Sequence, residues 1–356
     1  MQWREYTTIG QEEEDAVVEV IRSGKLSGFI AGPPERRAVI PNGGEKVQEL
    51  EKLWSLKYGV KHAISFNSAT TALMAAYTAC EVSHNHVITT PWTMSATVSA
   101  AIWSGARIDF ADIEDKTFCI DPNEVIRVYE NNSIAGHETK AVCAVNLFGH
   151  PAQLALLRSI CKERGMFLIE DSAQTPWAHE DNRIAGTIGD IGVYSLNRHK
   201  HIHCGEGGIA VTDNDELATR MRSVRNHGVD PVGLNLRMTE LEAAIAICQI
   251  NKLSEAVLRA QNIGIALNDA LREYMDVPFP REGCSHNYYL WTAKTQNPLR
   301  GIPHIKGYIQ PLNGVFGGAE CSVTDRMREE TICFEAAKWA NEPEEIAAEF
   351  VKSLTS

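Results

Sequence analysis

The stretch that decides the fold is residues 190–208, DIGVYSLNRHKHIHCGEGG. Residues 191–196 are predicted to form a short buried strand that ends just before a turn carrying Lys200. The glycines of GEGG, 205–208, then let the backbone return tightly into a second strand. A lysine at the carboxyl ends of strands can be desolvated, which favours the neutral amine and makes it a Schiff-base nucleophile. A structural lysine before a glycine-rich turn is the more common alternative, so this stretch alone leaves both interpretations open.

Strand-like and helix-like segments alternate around this stretch. The predicted strands are 63–66, 86–90, 107–113, 141–148, 166–170, 191–196 and 208–212, and helical patterns between them cover 70–79, 95–103, 122–131 and 152–164. Several strands are apolar without alternation, which is typical of a sheet covered on both faces. Alternating β and α segments predict an α/β fold with a mainly parallel sheet and right-handed crossovers. A ligand pocket is then expected outside the carboxyl ends of the strands.

The remaining segments suggest a second, smaller unit. The patterns predict helices at 11–23, 214–226, 239–273 and 343–354, a helix with Val47, Leu50, Leu53 and Trp54 on one face, a loop from Ser27 to Gly44, and a short strand at 288–293. We therefore predict a large domain over residues 1–250 and a small C-terminal domain over residues 251–356.

Charge and composition exclude several function classes. The 356 residues include 34 Lys and Arg against 46 Asp and Glu, a net charge of −12. This balance argues against a surface built to bind nucleic acid or an anionic membrane, so an anionic ligand would need a local cationic pocket. The nine cysteines form no CxxC pair, which favours a reducing compartment and neither disulfides nor a zinc site. No secretory signal and no membrane-spanning apolar run is visible, so we expect a cytoplasmic protein.

Two further segments carry chemistry at predicted strand ends. Asp171 follows the apolar strand 166–170, MFLIE, and a carboxylate there suits a pyridinium nitrogen, although Asp-Ser is also an ordinary helix cap. Residues 66–73, FNSATTAL, run from a strand into a helix through small polar residues. The N–H and hydroxyl groups at such a helix start can bind a phosphate, although Ser and Thr are equally ordinary as caps.

Taken together, these segments resemble the DegT/DnrJ/EryC1/StrS family of sugar aminotransferases. The resemblance runs from Ile9 to the C-terminal helix and includes SGKLSG (23–28), KHAISFNSATTAL (61–73), FGHPAQ (148–153), LIEDSAQ (168–174), GDIGVYSLNRHK (189–200), GEGG (205–208), GLNLRMTELEAAI (233–245) and GYIQPL (307–312). The combination of S-x₄-K-x₄-GEGG with EDxAQ is highly specific. The resemblance implies the aspartate-aminotransferase fold, known as fold type I, with pyridoxal 5'-phosphate as cofactor and a small C-terminal α+β lobe.

The resemblance also implies roles for individual residues. Lys200 would form the Schiff base with the cofactor and move protons, Asp171 would pair with the pyridine nitrogen, and Gln174 would approach the phenolic oxygen of the ring. The phosphate would be bound by Ala69, Thr70 and Ser195. Asn235 matches a family asparagine that reaches the phosphate in the neighbouring subunit, which implies a homodimer with shared active sites.

Three details are left open by the same comparison of motifs. The residue that covers the cofactor ring is either Met94 or Trp92. The stretch between YYLWTA (288–293) and GYIQPL (307–312) is shorter than in most relatives, which predicts a shortened small domain and altered substrate recognition. The basic run 198–203 is a poor metal-ligand set, because its histidines alternate on a turn without a carboxylate. Contact with a nucleotide diphosphate is the favoured interpretation, and no metal is expected.

The resemblance therefore predicts an aminotransferase that converts a nucleotide-linked keto-deoxysugar to an amino sugar, with an amino acid, L-glutamate in the family, as donor. Two alternatives remain. The first is a non-catalytic cofactor-binding or regulatory homologue, which the joint presence of Lys200, Asp171 and Gln174 disfavours. The second is a sugar dehydratase, in which the family replaces the lysine by histidine; counting from Ser195 places Lys200, and not His199, in register.

Overall fold

A seven-stranded sheet forms the centre of the computed structural model, which describes residues 1–30, 43–295 and 299–355. The first nine strands are β1 (His62–Phe66), β2 (His86–Thr89), β3 (Arg107–Phe110), β4 (Thr139–Val145), β5 (Phe167–Asp171), β6 (His179–Glu180), β7 (Arg183–Ile184), β8 (Ile191–Ser195) and β9 (Gly208–Thr212). The large sheet has the order β1-β9-β8-β5-β4-β2-β3, and β6 and β7 form a separate hairpin. Only β9 runs antiparallel to its neighbours, so the prediction of a mainly parallel sheet is confirmed.

Helices cover both faces of this sheet, and further helices of the described residues pack around the second sheet. They are α1 (Gln11–Ser23), α2 (Glu45–Tyr58), α3 (Ala69–Ala79), α4 (Ala96–Trp103), α5 (Pro122–Ile134), α6 (Leu154–Glu163), α7 (Asp215–Arg225), α8 (Glu240–Leu271), α9 (Asn313–Phe316), α10 (Ser322–Glu330) and α11 (Pro343–Thr355). Local sequence explains several starts: Asp121 caps α5 ahead of a proline in its first turn, and Thr239 and Glu242 form a capping box on α8.

The strand β4 shows why the central strands lack polar alternation. Ala141 and Cys143 pack into one hydrophobic cluster with α3, whereas Val142 and Val145 pack into another with α5 and α6. Because both faces of the strand are buried, apolar residues are needed at every position. The sheet is thereby held between two helical layers, and only its edges are free to form a pocket.

The strand directions bring several strand ends to one edge of the sheet. Since β9 is antiparallel to both β1 and β8, its first residue, Gly208, lies beside the last residues of those strands, Phe66 and Ser195. The parallel strand β5 ends at the same edge with Asp171. A Cβ atom at Gly208 would collide with the backbone of Ser68 and Ala69, so glycine is required for this close approach.

A second, three-stranded antiparallel sheet lies C-terminal to α8. It contains β10 (Trp291–Lys294), β11 (Ile305–Lys306) and β12 (Thr331–Phe334) in the order β10-β12-β11. The second half of α8 and the helix α11 pack on it through Leu267, Trp291 and Phe350.

The predicted boundary between residues 250 and 251 falls inside the continuous helix α8. The predicted large domain begins at residue 1, but the N-terminal residues pack on the second sheet. The centre of the Trp3 ring lies 5.0 Å from that of Trp339, and the Tyr6 N–H donates to the Lys338 carbonyl at 2.8 Å. The physical reason is that Trp3 completes the aromatic cluster beneath β12. The division into two domains otherwise stays a prediction.

Several other sequence predictions agree with the structure only in part. The strand predicted over 107–113 ends at Phe110, and that over 141–148 ends at Val145. Most of the loop predicted from Ser27 to Gly44 lies outside the described residues, as do residues 296–298 of the shortened stretch. No helix in the described ranges is long and apolar enough to cross a membrane.

Candidate active site

A cavity of about 520 Å³ opens at the edge of the large sheet where the strand ends meet. Of the residues predicted from the sequence, its wall contains Ala69, Thr70, Met94, Asp171, Gln174, Ser195 and Lys200. Trp92 and Asn235 lie outside this wall. The structure therefore gathers seven of the nine predicted residues around one space, at the position expected for an open α/β sheet.

The turn that carries Lys200 is held by main-chain hydrogen bonds. The N–H of Arg198 donates to the Gly205 carbonyl at 2.9 Å, and that of Cys204 donates to the Leu196 carbonyl at 3.0 Å. Lys200 is half-buried, and its Nζ atom lies 4.4 Å from the centre of the Tyr289 ring. This is a cation–π distance, so the ring attracts the ammonium group of Lys200.

Asp171 ends β5 and is almost fully buried in the cavity wall. Its Oδ2 accepts a hydrogen bond from the Thr97 hydroxyl at 2.7 Å, and its Oδ1 accepts one from the Ala173 N–H at 3.2 Å. Burial raises the pKa of this carboxyl above its ordinary range, against the opposing effects of the two donors and of the charge on Lys200. Neither donor is charged, so a cationic ring nitrogen would relieve the cost of burying the carboxylate.

The start of α3 forms one end of the cavity. The Ser68 hydroxyl accepts the N–H of Thr71 at 3.2 Å, whereas the preceding N–H groups, those of Ala69 and Thr70, have no acceptor within the helix. Ser195 lies beside them across Gly208. A helix start with free N–H groups and nearby hydroxyls is suited to a phosphate.

Gln174 is oriented by two hydrogen bonds. Its Oε1 accepts the Phe148 N–H at 2.7 Å, and its Nε2 donates to the Tyr308 hydroxyl at 2.8 Å. Burial raises the pKa of that hydroxyl. The amide of Gln174 thus has a fixed orientation, with the second N–H of Nε2 still available.

The structure distinguishes the two residues proposed to cover a cofactor ring. Trp92 is fully buried, its indole N–H donates to the Ile309 carbonyl at 3.1 Å, and its ring packs edge-on against Phe118 and Phe148. Trp92 therefore lies in the core and not in the cavity wall, and which of the two residues covers a cofactor ring stays a prediction. Met94 is 55% exposed and lies in the cavity wall.

Asn235 lies on an exposed hairpin away from the cavity of its own chain. The hairpin is closed by bridges between Asn226 and Asn235 and between Val229 and Val232. The Asn235 Oδ1 accepts a hydrogen bond from Arg237 Nε at 2.8 Å.

A smaller chamber of about 140 Å³ adjoins the cavity, with Lys200 in the wall of both. Arg198, His199 and His203 of the predicted basic run line it, together with Lys338, whose Nζ lies 3.7 Å from Glu5 and 3.6 Å from Glu335. Across the described ranges, no group of three His, Cys, Asp or Glu side chains is arranged to hold a metal ion.

Sequence reasoning missed four residues that shape the site: Thr97, Tyr289, Tyr308 and Glu335. Tyr289 and Tyr308 lie within the motifs YYLWTA and GYIQPL. The sequence therefore contains both motifs, but the motifs did not indicate a role for either tyrosine. Glu335 follows β12 and has no local signal, because it reaches the cavity only through the packing of the second sheet.

This arrangement of a lysine, a buried carboxylate and a helix start at the edge of a mainly parallel sheet defines an enzyme of the fold type I class. The chain belongs to the DegT/DnrJ/EryC1/StrS aminotransferase family, whose sequence model matches residues 35–300. The family is one of PLP-dependent aminotransferases, and the chain is an enzyme of this class.

Individual relatives agree with this membership. The chain is 29% identical to the spore coat polysaccharide biosynthesis protein SpsC of Bacillus subtilis over 83% of this chain and 76% of SpsC. It is 32% identical to a UDP-4-amino-4,6-dideoxy-N-acetyl-beta-L-altrosamine transaminase of Campylobacter jejuni over 75% of this chain and 69% of that enzyme. Helicobacter pylori PseC, an aminotransferase involved in pseudoaminic acid biosynthesis, superposes with a TM-score of 0.86 at 22% identity and covers 100% of both chains. The fold prediction is thereby confirmed.

Proposed function

We propose that this protein uses pyridoxal 5'-phosphate to transfer an amino group from an amino acid to a nucleotide-linked keto-deoxysugar. The single observation that supports it best is the cavity in which Lys200, Asp171 and the start of α3 meet. The names of its relatives, which include a transaminase of a UDP-linked sugar, support the substrate class. L-glutamate is proposed as the donor because the family resemblance implies it.

The residues present fit this cofactor. Asp171 offers a buried carboxylate whose raised pKa would be brought down by a protonated ring nitrogen. The free N–H groups of Ala69 and Thr70, with the hydroxyl of Ser195 nearby, would hold the phosphate. Met94 can pack on one face of the ring through its sulfur. Gln174 would direct its remaining N–H toward the phenolic oxygen.

Lys200 would be the catalytic residue. When bound, pyridoxal 5'-phosphate supplies an electron-withdrawing ring. In each half-reaction the Nζ atom of Lys200 would take a proton from one carbon and deliver it to another, so that the lysine is unchanged at the end of each half. Tyr289 would hold that atom in the cavity through the contact between its ring and the ammonium group.

The smaller chamber is proposed to contact the diphosphate of the sugar substrate. Arg198, Lys200 and Lys338 line it together with the two carboxylates of Glu5 and Glu335, so the wall carries a small excess of positive charge. In a chain of net charge −12, such a local basic site is what an anionic substrate requires. The volume of about 140 Å³ suits phosphate groups and not a whole nucleotide, whose base would lie outside it.

The active unit is proposed to be a homodimer in which Asn235 reaches the site of the partner. The hairpin that carries Asn235 exposes apolar side chains, with Val229 68% and Val232 78% accessible. Adjacent exposed apolar residues beside polar ones favour a protein interface. A Val232→Asp variant is expected to sediment as a monomer and to lose activity, whereas Leu258→Asp, on α8, should remain dimeric. A Val232→Asp variant that stays dimeric would contradict this interface.

The dehydratase alternative has less support. It would place a histidine where the reacting lysine stands, and the resemblance places Lys200 at that position in the cavity wall. The non-catalytic alternative is separated from the proposal by the experiment below.

The test of the proposed function is spectroscopic. Protein mixed with pyridoxal 5'-phosphate should become yellow, and borohydride reduction should fix the cofactor mass on the peptide containing Lys200. Lys200→Ala should lose both signals, whereas a matched variant of the exposed Lys306 should keep them. L-glutamate should bleach the yellow band of the wild type, and a panel of nucleotide-linked keto sugars should restore it. Labelling of another lysine would overturn the assignment, and binding without bleaching by any amino donor would favour the non-catalytic homologue.

A further inference from the structure

We propose that Asn287, a residue outside the cavity wall, is a positioning residue for Lys200. It joins the turn that carries Lys200 to the segments that carry Gln174 and Tyr289. The proposal rests on the proposed function only in taking Lys200 as the reacting amine.

All four polar groups of Asn287 bond to segments around the site. The side chain is fully buried. Its main-chain N–H donates to the Gly149 carbonyl at 2.9 Å, and its main-chain carbonyl accepts from His201 Nε2 at 3.0 Å. Its Nδ2 donates to the Pro176 carbonyl at 2.9 Å, and its Oδ1 accepts the N–H of Tyr289 at 3.0 Å. A buried side-chain amide that both donates and accepts holds its neighbours in one arrangement.

The partners of Asn287 lie in or near the segments that form the cavity. Tyr289 is in the cavity wall, His201 directly follows Lys200, and Pro176 lies two residues beyond Gln174. Gly149 follows Phe148, whose N–H orients the amide of Gln174. One buried residue in the loop before β10 therefore links, through its main chain and its side chain, three segments of the large sheet that lie far apart in the sequence.

The hydrogen bond between Asn287 and Tyr289 also fixes the position of the tyrosine ring that faces Lys200. The residue between them, Tyr288, has a φ of +50°, in the left-handed region that a tyrosine rarely adopts. Such a conformation persists only where surrounding bonds hold it, and the Asn287 Oδ1 supplies one of these bonds across the turn. Loss of this acceptor would free the Tyr289 ring from its place 4.4 Å from the Lys200 Nζ.

The hydrogen bond from His201 to Asn287 defines which ring nitrogen of the histidine carries the proton. A carbonyl acceptor requires the proton to be on Nε2. Burial lowers the pKa of His201 to about 4, so the ring is neutral at pH 7 and the bond does not depend on an ionised imidazole.

Asn341 provides a matched control. It is also a buried asparagine whose side chain bonds only main-chain groups: its Nδ2 donates to the Gln2 carbonyl at 3.0 Å, and its Oδ1 accepts the Arg4 N–H at 2.9 Å. These partners belong to the N-terminal segment that packs on the second sheet, and neither lies in the cavity wall. A purely structural role would make Asn287 and Asn341 behave alike.

The experiment compares Asn287→Leu with Asn341→Leu by hydrogen exchange of residues 197–204, without added cofactor. Both variants should lose comparable thermal stability. Asn287→Leu keeps the main-chain carbonyl that accepts from His201 but loses the side-chain bonds to Pro176 and Tyr289 that hold this carbonyl in place. Only this variant should therefore speed exchange in the segment, by roughly 3- to 10-fold, the factor that corresponds to one net hydrogen bond weakened. With pyridoxal 5'-phosphate bound, only Asn287→Leu should shift the pH midpoint of the visible absorbance. Equal changes in both variants, or no change in Asn287→Leu, would overturn the proposal.

A second pair of variants tests the proposal if Asn287→Leu does not fold. His201→Leu removes the donor to the Asn287 carbonyl, whereas His201→Gln keeps an N–H donor. The exchange rate of residues 197–204 should rise in the first variant and return toward wild type in the second; equal rates in both would overturn the proposal. A wild-type protein that shows no visible band with pyridoxal 5'-phosphate would refute the proposed function, while the exchange comparison would still decide the role of Asn287.

Discussion

The substitution Thr97→Val removes one donor to the buried carboxylate of Asp171. Thr97 is fully buried, its hydroxyl donates to Asp171 Oδ2 at 2.7 Å, and it also lies 2.9 Å from the Thr93 hydroxyl. Valine has nearly the same shape as threonine, so the change removes hydrogen bonding without leaving a cavity.

The cost of this substitution should depend on pH. The pKa of Asp171 lies above its ordinary value of 3.8, because burial disfavours the charged form. Its contribution to stability is therefore complete below about pH 3.8 and is lost as the pH rises through the native-state pKa. Thr97 offsets part of that loss, because a hydrogen bond to a charged group contributes about 1.5–3 kcal/mol against about 1 kcal/mol for a neutral one. We expect Thr97→Val to cost about 1 kcal/mol where Asp171 is protonated and about 2–3 kcal/mol where it is ionised.

The assay is urea unfolding of the cofactor-free protein at a series of pH values from about 3, below the ordinary pKa of 3.8, to about 9, with fixed protein concentration. Thr89→Val is the matched control, because Thr89 is equally buried and its hydroxyl donates to the neutral carbonyl of Cys143 at 2.9 Å. Its cost should be about 1 kcal/mol at every pH. A cost of Thr97→Val that stays constant or falls as the pH rises would refute the inference that the Thr97 hydroxyl stabilises the ionised form of Asp171.

Three further predictions concern other residues. Gly208→Ala should abolish binding of pyridoxal 5'-phosphate, measured by fluorescence titration, because its Cβ would displace the start of α3; Gly314→Ala, which meets no neighbouring atom, should not. His201→Gln should flatten the fall in stability between pH 6.5 and 4 in urea titrations, because the native histidine, with a pKa of about 4, takes up its proton only on unfolding. Glu170→Gln should destabilise the fold by roughly 3 kcal/mol. Glu170 is buried and accepts the N–H groups of residues 186, 188 and 189, and in the variant one of these N–H groups would face the N–H of the new amide. An unchanged urea midpoint would contradict this prediction.

Much of the site could be predicted from local sequence. Asp171 ends an apolar strand, Lys200 lies in the turn that follows another, and the helix start at Ala69 follows from the capping serine before it. These signals are local, because strand ends and helix caps are set by residues a few positions apart. The resemblance then added what the residues could do, since their spacing matches one family.

The sequence by itself determined the succession along the chain of the strands of the large sheet and the helices between them, and the edge of the sheet at which the site lies. Only the tertiary structure decided that Met94 faces the cavity while Trp92 enters the core, and that Tyr289, Tyr308 and Asn287 join a site built mainly from residues 68–206. The physical reason is that strand periodicity reports which face of an element is buried, whereas contacts between distant segments depend on how complete elements pack. The packing of the second sheet against the first brings an asparagine without a motif of its own next to the turn of Lys200.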